Sequence, residues 1–163
     1  MKLRKLRPED AEPMLQWMHD SSVVEHLGTN FAEKTLEDCQ RFIAYSQTAE
    51  CDLHLAVTDD GDEYMGTVSL KHIDRANRTA EFAITVRAAA MGRGYSRFAM
   101  ERILEMGLGE MGLEAIYWCV APVNCRAIRF YDKCGYQRTE DVPAHILAPY
   151  PVDMELLWYV CRG

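Results

Sequence analysis

No stretch of this 163-residue chain approaches the roughly 18 consecutive apolar residues that a membrane-spanning helix needs, so no membrane association is expected. The opening MKLRKLRPEDAE is basic but lacks an apolar core, which sets it apart from a secretory signal and leaves a cytoplasmic protein as the expectation. Cysteine pairs are missing too. The six cysteines (39, 51, 119, 125, 134 and 161) include no Cys-x-x-Cys, and their spacing fits neither a disulfide framework nor a zinc site. Free thiols in a reducing compartment follow. The five histidines (19, 26, 54, 72 and 145) are scattered, so no metal centre is expected. An excess of basic charge is also absent. Against 25 Asp and Glu stand 18 Lys and Arg, a net charge of −7 that argues against nucleic acid as a partner and suits a cationic substrate. With no repeats, low-complexity tracts or linkers, residues 1–163 read as one domain with a sizeable core.

What is present alternates between strand and helix patterns. Residues 2–6 (KLRKL) alternate as a short strand. Pro8, Glu9 and Asp10 then open a helix whose apolar stripe is Ala11, Met14, Leu15, Trp17 and Met18. Residues 21–30 read as a short helical piece and a loop. Thr35 and Asp38 form a capping box for a second helix running to Thr48, with Leu36, Cys39, Phe42, Ile43 and Ser46 inward. Residues 52–57 and 64–71 read as strands joined by the turn Asp59-Asp60-Gly61-Asp62-Glu63. That acidic cluster lacks calcium-loop spacing and reads as a solvated turn. After a polar connection at 72–78 come the strand Thr79–Val86, a glycine-bearing loop, and a helix from Tyr95 to Leu104 that Gly107, Gly109 and Gly112 stop. The strand Ala115–Val120, a helix at 125–134 between the N-cap Asn124 and Gly135, and strands at 136–139 and 153–160 complete the chain. This order predicts an α/β (α+β) fold, a mixed sheet with helices on both faces.

Residues 87–102 concentrate positive charge in an acidic chain: Arg87, Arg93, Arg97 and Arg102 stand against Glu101. Gly92 and Gly94 let the backbone approach a ligand closely, because glycine has no Cβ. The helix beginning at Tyr95 turns its unpaired N–H groups and positive dipole end toward that loop. The combination is a site for an anion, most simply a phosphate or pyrophosphate. A third glycine is missing, with Arg97 in its place, and no Gly-Lys-Ser/Thr follows. Neither a dinucleotide fingerprint nor a P-loop is present.

Past one helix and one strand comes a second motif, Asn124-x-x-Ala127-Ile128-x-x-Tyr131-x-x-x-Gly135-Tyr136. The two motifs together resemble the GNAT superfamily of acetyl-CoA-dependent N-acetyltransferases, and the element order is similar over nearly the whole chain. The resemblance implies a mostly antiparallel twisted sheet of about six or seven strands. It implies that Met91, Gly92, Arg93, Gly94, Tyr95 and Ser96 match the loop Gln/Arg-x-x-Gly-x-Gly/Ala, whose backbone N–H groups hold the coenzyme A diphosphate. Met91 and Ser96 depart from that pattern. It also implies that Ile84, Thr85 and Val86 pair with the pantetheine arm like an added strand. Asn124 would contact the cofactor arm, and Tyr131 would lie near the thioester sulfur. The opening segment and the strand around Glu81 are similar to the branch with ribosomal-protein N-terminal and amino-sugar nucleotide acetyltransferases.

Acetyl transfer to an amine needs a base, because a lysine-like amine is protonated up to a pKa of about 10.4. It also needs donors for an oxyanion and an acid for the departing thiolate. Tyr131 is the candidate acid, with a packing role as its alternative. Glu81 is the candidate base, with pairing to Arg78 or another neighbour as its alternative. Arg126, Arg129 and Lys133 either reach coenzyme phosphates or form a solvated helix face. Cys119, Cys125 and Cys134 read as small core residues. Met14, Trp17 and Met18 read first as core, and the two early helices with residues 144–151 are expected to wall the acceptor side. Apolar Leu156, Leu157 and Trp158 serve either the core or a homodimer contact. The rival functional reading is an acyl-CoA-binding regulatory module without turnover.

Overall fold

Side chains alternate across a strand, so each strand here feeds two opposite faces. The computed structural model describes residues 1–163. Strands β1 (Lys2–Lys5), β2 (Leu53–Thr58), β3 (Tyr64–Asp74), β4 (Thr79–Val86), β5 (Ala115–Val120), β6 (Gln137–Thr139) and β7 (Leu157–Arg162) form one seven-stranded sheet in the order β1-β2-β3-β4-β5-β7-β6. Every neighbouring pair is antiparallel except β4 and β5, which run parallel. The helices are α1 (Ala11–Met18), α2 (Ser21–Val24), α3 (Leu36–Thr48), α4 (Tyr95–Glu105), α5 (Cys125–Lys133) and α6 (Ala144–Leu147). None is long and apolar enough to cross a membrane.

On one face, Val57, Val68, Leu70, Phe82, Ile116 and Trp118 pack against Ala99, Met100 and Ile103 of α4 and Tyr131 of α5. On the other, Ala56 and Tyr64 pack against Met14, Trp17 and Met18 of α1 and Cys39 and Ile43 of α3. Farther along this second face, Tyr117, Trp158 and Val160 enclose Ile146 of α6. Helices on both faces are therefore observed. The Thr35 capping box forms as well: Thr35 Oγ1 accepts the Asp38 N–H at 3.2 Å, and Asp38 Oδ2 accepts the Thr35 N–H at 2.8 Å.

Several boundaries differ from the sequence expectation. Strand β3 continues to Asp74 through a register shift between Lys71 and Asp74, leaving only a tight turn before β4. Gly107 does not stop α4, which passes into a π-helical turn at Met106–Glu110. A Cβ on Gly107 would lie 2.7 Å from the Ile116 side-chain tip and 3.0 Å from that of Leu70, so the glycine lets this turn pack closely on the sheet without moving them. The last strand begins at Leu157, because Leu157 already pairs with Val120 at the end of β5 and earlier residues have no strand to meet. Trp158 is buried and Leu156 packs beside it, which assigns those apolar residues to the core. Leu36 is exposed, whereas Phe42 is half-buried against the core that Cys39 and Ile43 enter.

Gly66 sits where β3 meets the end of β4, and a Cβ there would lie 2.5 Å from the Thr85 carbonyl oxygen and 2.8 Å from Val86 Cα. Gly66→Ala is expected to destabilise the fold by about 1–3 kcal/mol, as overpacking does, in urea unfolding. A midpoint equal to that of the parent chain would contradict this.

Candidate active site

Strands β4 and β5 stay paired only from Thr79 opposite Ala115 to Glu81 opposite Tyr117. Beyond that point β4 continues along β3, with Val86 opposite Gly66, while β5 continues along β7. The two strands therefore part, and a split opens in the middle of the sheet. Backbone groups alternate in direction along a strand. The Arg87 N–H donates to Met65 O at 2.9 Å on the β3 side, and the Arg78 carbonyl accepts from Glu114 at 2.7 Å on the β5 side. This alternation turns the backbone of Phe82, Ile84 and Val86 toward the split and that of Thr85 toward β3, opposite Thr67. Of the three residues expected to line the cofactor arm, Ile84 and Val86 thus present free main-chain groups, and Thr85 does not.

At the open end lies the glycine loop. Gly92 and Gly94 have φ of +72° and +88°, the left-handed region that glycine enters without steric cost. The N–H groups of Gly92, Gly94, Tyr95, Ser96 and Arg97 find no backbone acceptor in the chain, so the loop and the first turn of α4 converge unpaired donors. The Tyr95 side chain is buried in the core, so only its main chain faces the loop. Arg93 lies over the Tyr95 ring at 5.6 Å. Arg126 reaches from α5 to Met91, donating to its Sδ at 3.1 Å, which places a cation over the loop. The basic island is smaller than its sequence suggests. Arg87 is held by Glu63 at 3.0 Å and Gln16 at 2.9 Å, Arg97 by Glu101 at 2.8 Å and Arg102 by Glu105 at 2.6 Å. Arg93 and Arg126 lack carboxylate partners. Asn124 caps α5 through Oδ1, which accepts the Ala127 N–H at 3.3 Å, leaving its amide nitrogen available. These donors fit an extended ligand with a diphosphate at one end.

Glu81 stands where the split closes, 2 % exposed, on the face shared with α1, α3 and α6. Its Oε2 is 3.2 Å from His72 Nδ1, its Oε1 accepts the Tyr150 hydroxyl, and Lys71 Nζ is 4.0 Å away. Arg78 pairs with Glu114 instead, at 2.8 Å. Burial, and then the hydrogen bond to Glu81, push the Tyr150 phenol well above its ordinary range, so it remains a donor. Burial likewise pushes the Cys119 thiol up, which keeps it un-ionised and a poor nucleophile.

Tyr131 lies on the opposite face, from α5, with its ring edge-on to Trp118 at 5.6 Å and to Phe130 at 5.4 Å. Burial raises its phenol far above the ordinary value, and nearby Cys119, Tyr159 and Tyr136 add to the effect. It is therefore a protonated hydroxyl at neutral pH. The Trp118 indole N–H in the same cluster is buried without an acceptor. Tyr136, beside it, is pushed up to about 12, again chiefly by burial.

Three of the five histidines share one face of the sheet. His72 contacts Glu81, His54 Nδ1 lies 2.6 Å from Ser69 Oγ, and His145 Nε2 lies 2.8 Å from Thr79 Oγ1, all along the Glu81 face. No group of three or more His, Cys, Asp or Glu is placed to hold a metal ion. The strand alternation of residues 64–71 could have put Lys71 beside Glu81. Nothing local signalled His72, whose position depends on the register shift, or Tyr150, which arrives from a distant segment.

A family profile described as an acetyltransferase (GNAT) domain matches residues 1–137. The chain belongs to the GNAT acetyltransferase family, and acetyl-CoA is its co-substrate for acetyl transfer to an amine. It is 24 % identical over 139 residues to an uncharacterized N-acetyltransferase p20 of Bacillus licheniformis, covering 83 % of this chain and 78 % of that protein. It is 32 % identical over 80 residues to a spermidine N(1)-acetyltransferase of Vibrio cholerae, covering 49 % of this chain and 46 % of the relative. A crystal structure of spermidine N-acetyltransferase from Vibrio cholerae in complex with CoA and spermine superposes with a TM-score of 0.81 at 19 % identity, over 99 % of this chain and 94 % of the other.

Gly94→Ala puts a side chain on a left-handed residue that opens α4. The chain relieves the strain of about 1 kcal/mol by turning this peptide out of the cradle, and restoring the cradle on binding costs the same amount, so acetyl-CoA binding is expected to weaken ~fivefold by calorimetry. An unchanged dissociation constant would remove the loop from the binding site.

Proposed function

We propose that this chain moves an acetyl group from acetyl-CoA directly to a primary amine while both substrates are bound, with Glu81 as base and Tyr131 as acid. The observation that carries the reading is the split itself. It has free backbone donors along β4, a cradle of unpaired N–H groups at one end and a buried carboxylate at the other.

Bound acetyl-CoA supplies an acetyl thioester. The loop at residues 91–96 and Arg126 hold the diphosphate, and Ile84 and Val86 hold the arm. Glu81 removes a proton from the acceptor ammonium arriving on the α1/α3/α6 face. The backbone N–H groups of β4 that face the split stabilise negative charge on the carbonyl oxygen. Tyr131 supplies a proton to the departing sulfur from the other face and regains one through the gap from the acylated nitrogen, which loses its second proton as the thiolate leaves. Much of the remaining acceleration comes from holding both reactants in line. Lys71, His72 and Tyr150 crowd Glu81, so a slim amine approaches it more easily than a branched one. A polyamine is the first acceptor to test, consistent with the net charge of −7. Association into a homodimer belongs to the same reading. Exposed Val152 and Met154 are apolar side chains left for such a contact, and sedimentation equilibrium distinguishes it from a monomer.

Acetyl-CoA at about a hundred times its dissociation constant is expected to add roughly 2.7 kcal/mol of stability, read as a raised melting temperature. No shift at millimolar acetyl-CoA would sink the assignment; a shift without acetylation of any amine in a panel would favour the non-catalytic module. Tyr131→Phe is expected to lower kcat about a hundredfold with little change in acetyl-CoA affinity, the loss typical of a general acid. Equal losses in both would make it a packing residue. Glu81→Gln should lower kcat/KM about a hundredfold, the loss typical of a general base; an unchanged kcat/KM would place the base elsewhere.

A further inference from the structure

Glu81 can take a proton but is badly placed to release one. It is 2 % exposed, and the groups around its carboxyl oxygens are Tyr150, His72 and Lys71. Tyr150 is already donating to it, and Lys71 stands 4.0 Å away, beyond hydrogen-bond length. The His72 ring differs from both. Its Nδ1 lies 3.2 Å from Glu81 Oε2, yet its side chain is 55 % exposed, so one ring spans from a buried carboxyl to solvent.

The backbone places this ring at a cost. His72 sits in the register shift between Lys71 and Asp74 and has φ of +50°, a left-handed conformation that residues other than glycine seldom adopt. Backbone strain of this kind persists only where surrounding structure enforces it. Here Asp52 does so: its Oδ1 accepts the His72 N–H at 2.8 Å, while its Oδ2 accepts the Tyr45 hydroxyl of α3 at 2.6 Å. Without the shift, residue 72 would follow strand alternation and project to the face opposite that of Lys71 and Glu81.

We propose that His72 is the proton exit of the active site and that Asp52, by holding the strained turn, is its positioning residue. The inference rests on Glu81 being the base. The proton removed from the ammonium makes Glu81 a carboxylic acid. In the resting site the His72 Nδ1–H donates to the Glu81 carboxylate. Once Glu81 is protonated, exchange at the exposed ring moves that proton to Nε2, and the Glu81 O–H donates to the freed Nδ1 and the proton crosses. The imidazolium then releases its Nε2 proton to water, which leaves the Nδ1–H tautomer of the resting site. The reaction's one liberated proton thus reaches bulk solvent, and no group is oxidised or reduced. Imidazole suits this step because its charge changes nearest neutral pH among the side chains. The charged and titratable groups facing it are Glu81 from β4, Lys71 from β3, Asp52 and His54 at the start of β2, and Tyr150 from the covering segment.

The test measures kcat for His72→Ala and His72→Gln in dilute buffer, with acetyl-CoA and saturating spermidine, or the amine turned over best in the panel. Both variants are expected to lose about tenfold in kcat, below the hundredfold typical of a direct acid or base, with KM for acetyl-CoA unchanged. Free imidazole should restore kcat in His72→Ala as its concentration rises, and should do the same for Asp52→Ala. A kcat equal to the parent's in dilute buffer, or a loss in folded variants that imidazole does not restore, would overturn the proposal. A readout independent of acceptor is the 15N resonance of His72 Nδ1, which Glu81→Gln should displace at constant pH; an unmoved resonance also counts against it. If Glu81→Gln leaves kcat/KM unaltered, the assignment of the base has failed. If Glu81→Gln alters it while His72→Ala behaves as the parent, only the relay has failed.

Discussion

Unpaired main-chain groups in the middle of a sheet are what this fold is built to hold. Buried backbone donors and acceptors almost always find partners, and the sheet ladder normally supplies them. Here β4 and β5 are parallel neighbours for three residue pairs and then separate, each kept in place by its other neighbour. Phe82 and Trp118, edge-on at 5.5 Å, stand on the two strands where the ladder ends. An extended ligand that completes β4 satisfies what the separation leaves open, as strand addition does at a sheet edge. The glycine loop and the start of α4 lie just beyond the same strand, so one ligand meets the free strand edge and the free helix end together.

The split also divides the chemistry. Side chains alternate across strands, so a carboxyl on β4 and a phenol packed against β5 come from opposite faces and meet only through the gap. Burial acts on both sides and in one direction. It keeps the Tyr131 and Tyr150 hydroxyls protonated and the Cys119 thiol un-ionised. A site with protonated donors around a single carboxyl favours proton management over covalent catalysis. Cys119 has its backbone turned to the split and its thiol beside Tyr150, yet burial outweighs the opposing pull of Tyr150 and Lys71 and keeps it from being a nucleophile.

Most of the sheet and the glycine loop were legible in the sequence, because both depend on local signals. Alternation marked the strands, Thr35-x-x-Asp38 and Asn124 marked helix starts, and Gly92 with Gly94 marked the loop. The surroundings of Glu81 were not, because they depend on register. A shift of the ladder at Lys71–Asp74 turns a residue read as part of a polar connection into the neighbour of Glu81. Tyr150 and His145 come from a segment that crosses the second face without a long element of its own, so no periodicity announces where it lands. The arginines misled in the opposite sense: counting charge along residues 87–102 could not show that Glu63 and Glu105 take up two of them.

The most direct test follows the acetyl group itself. The protein is incubated with acetyl-CoA labelled in the acetyl carbonyl and an amine panel that includes spermidine, and mass spectrometry then locates the label. Direct transfer predicts label on the amine nitrogen, one coenzyme A released per acetylated amine, and none on the chain when acetyl-CoA is given alone. Label on Cys119 that chases onto the amine, or coenzyme A released without any acetylated amine, would contradict it.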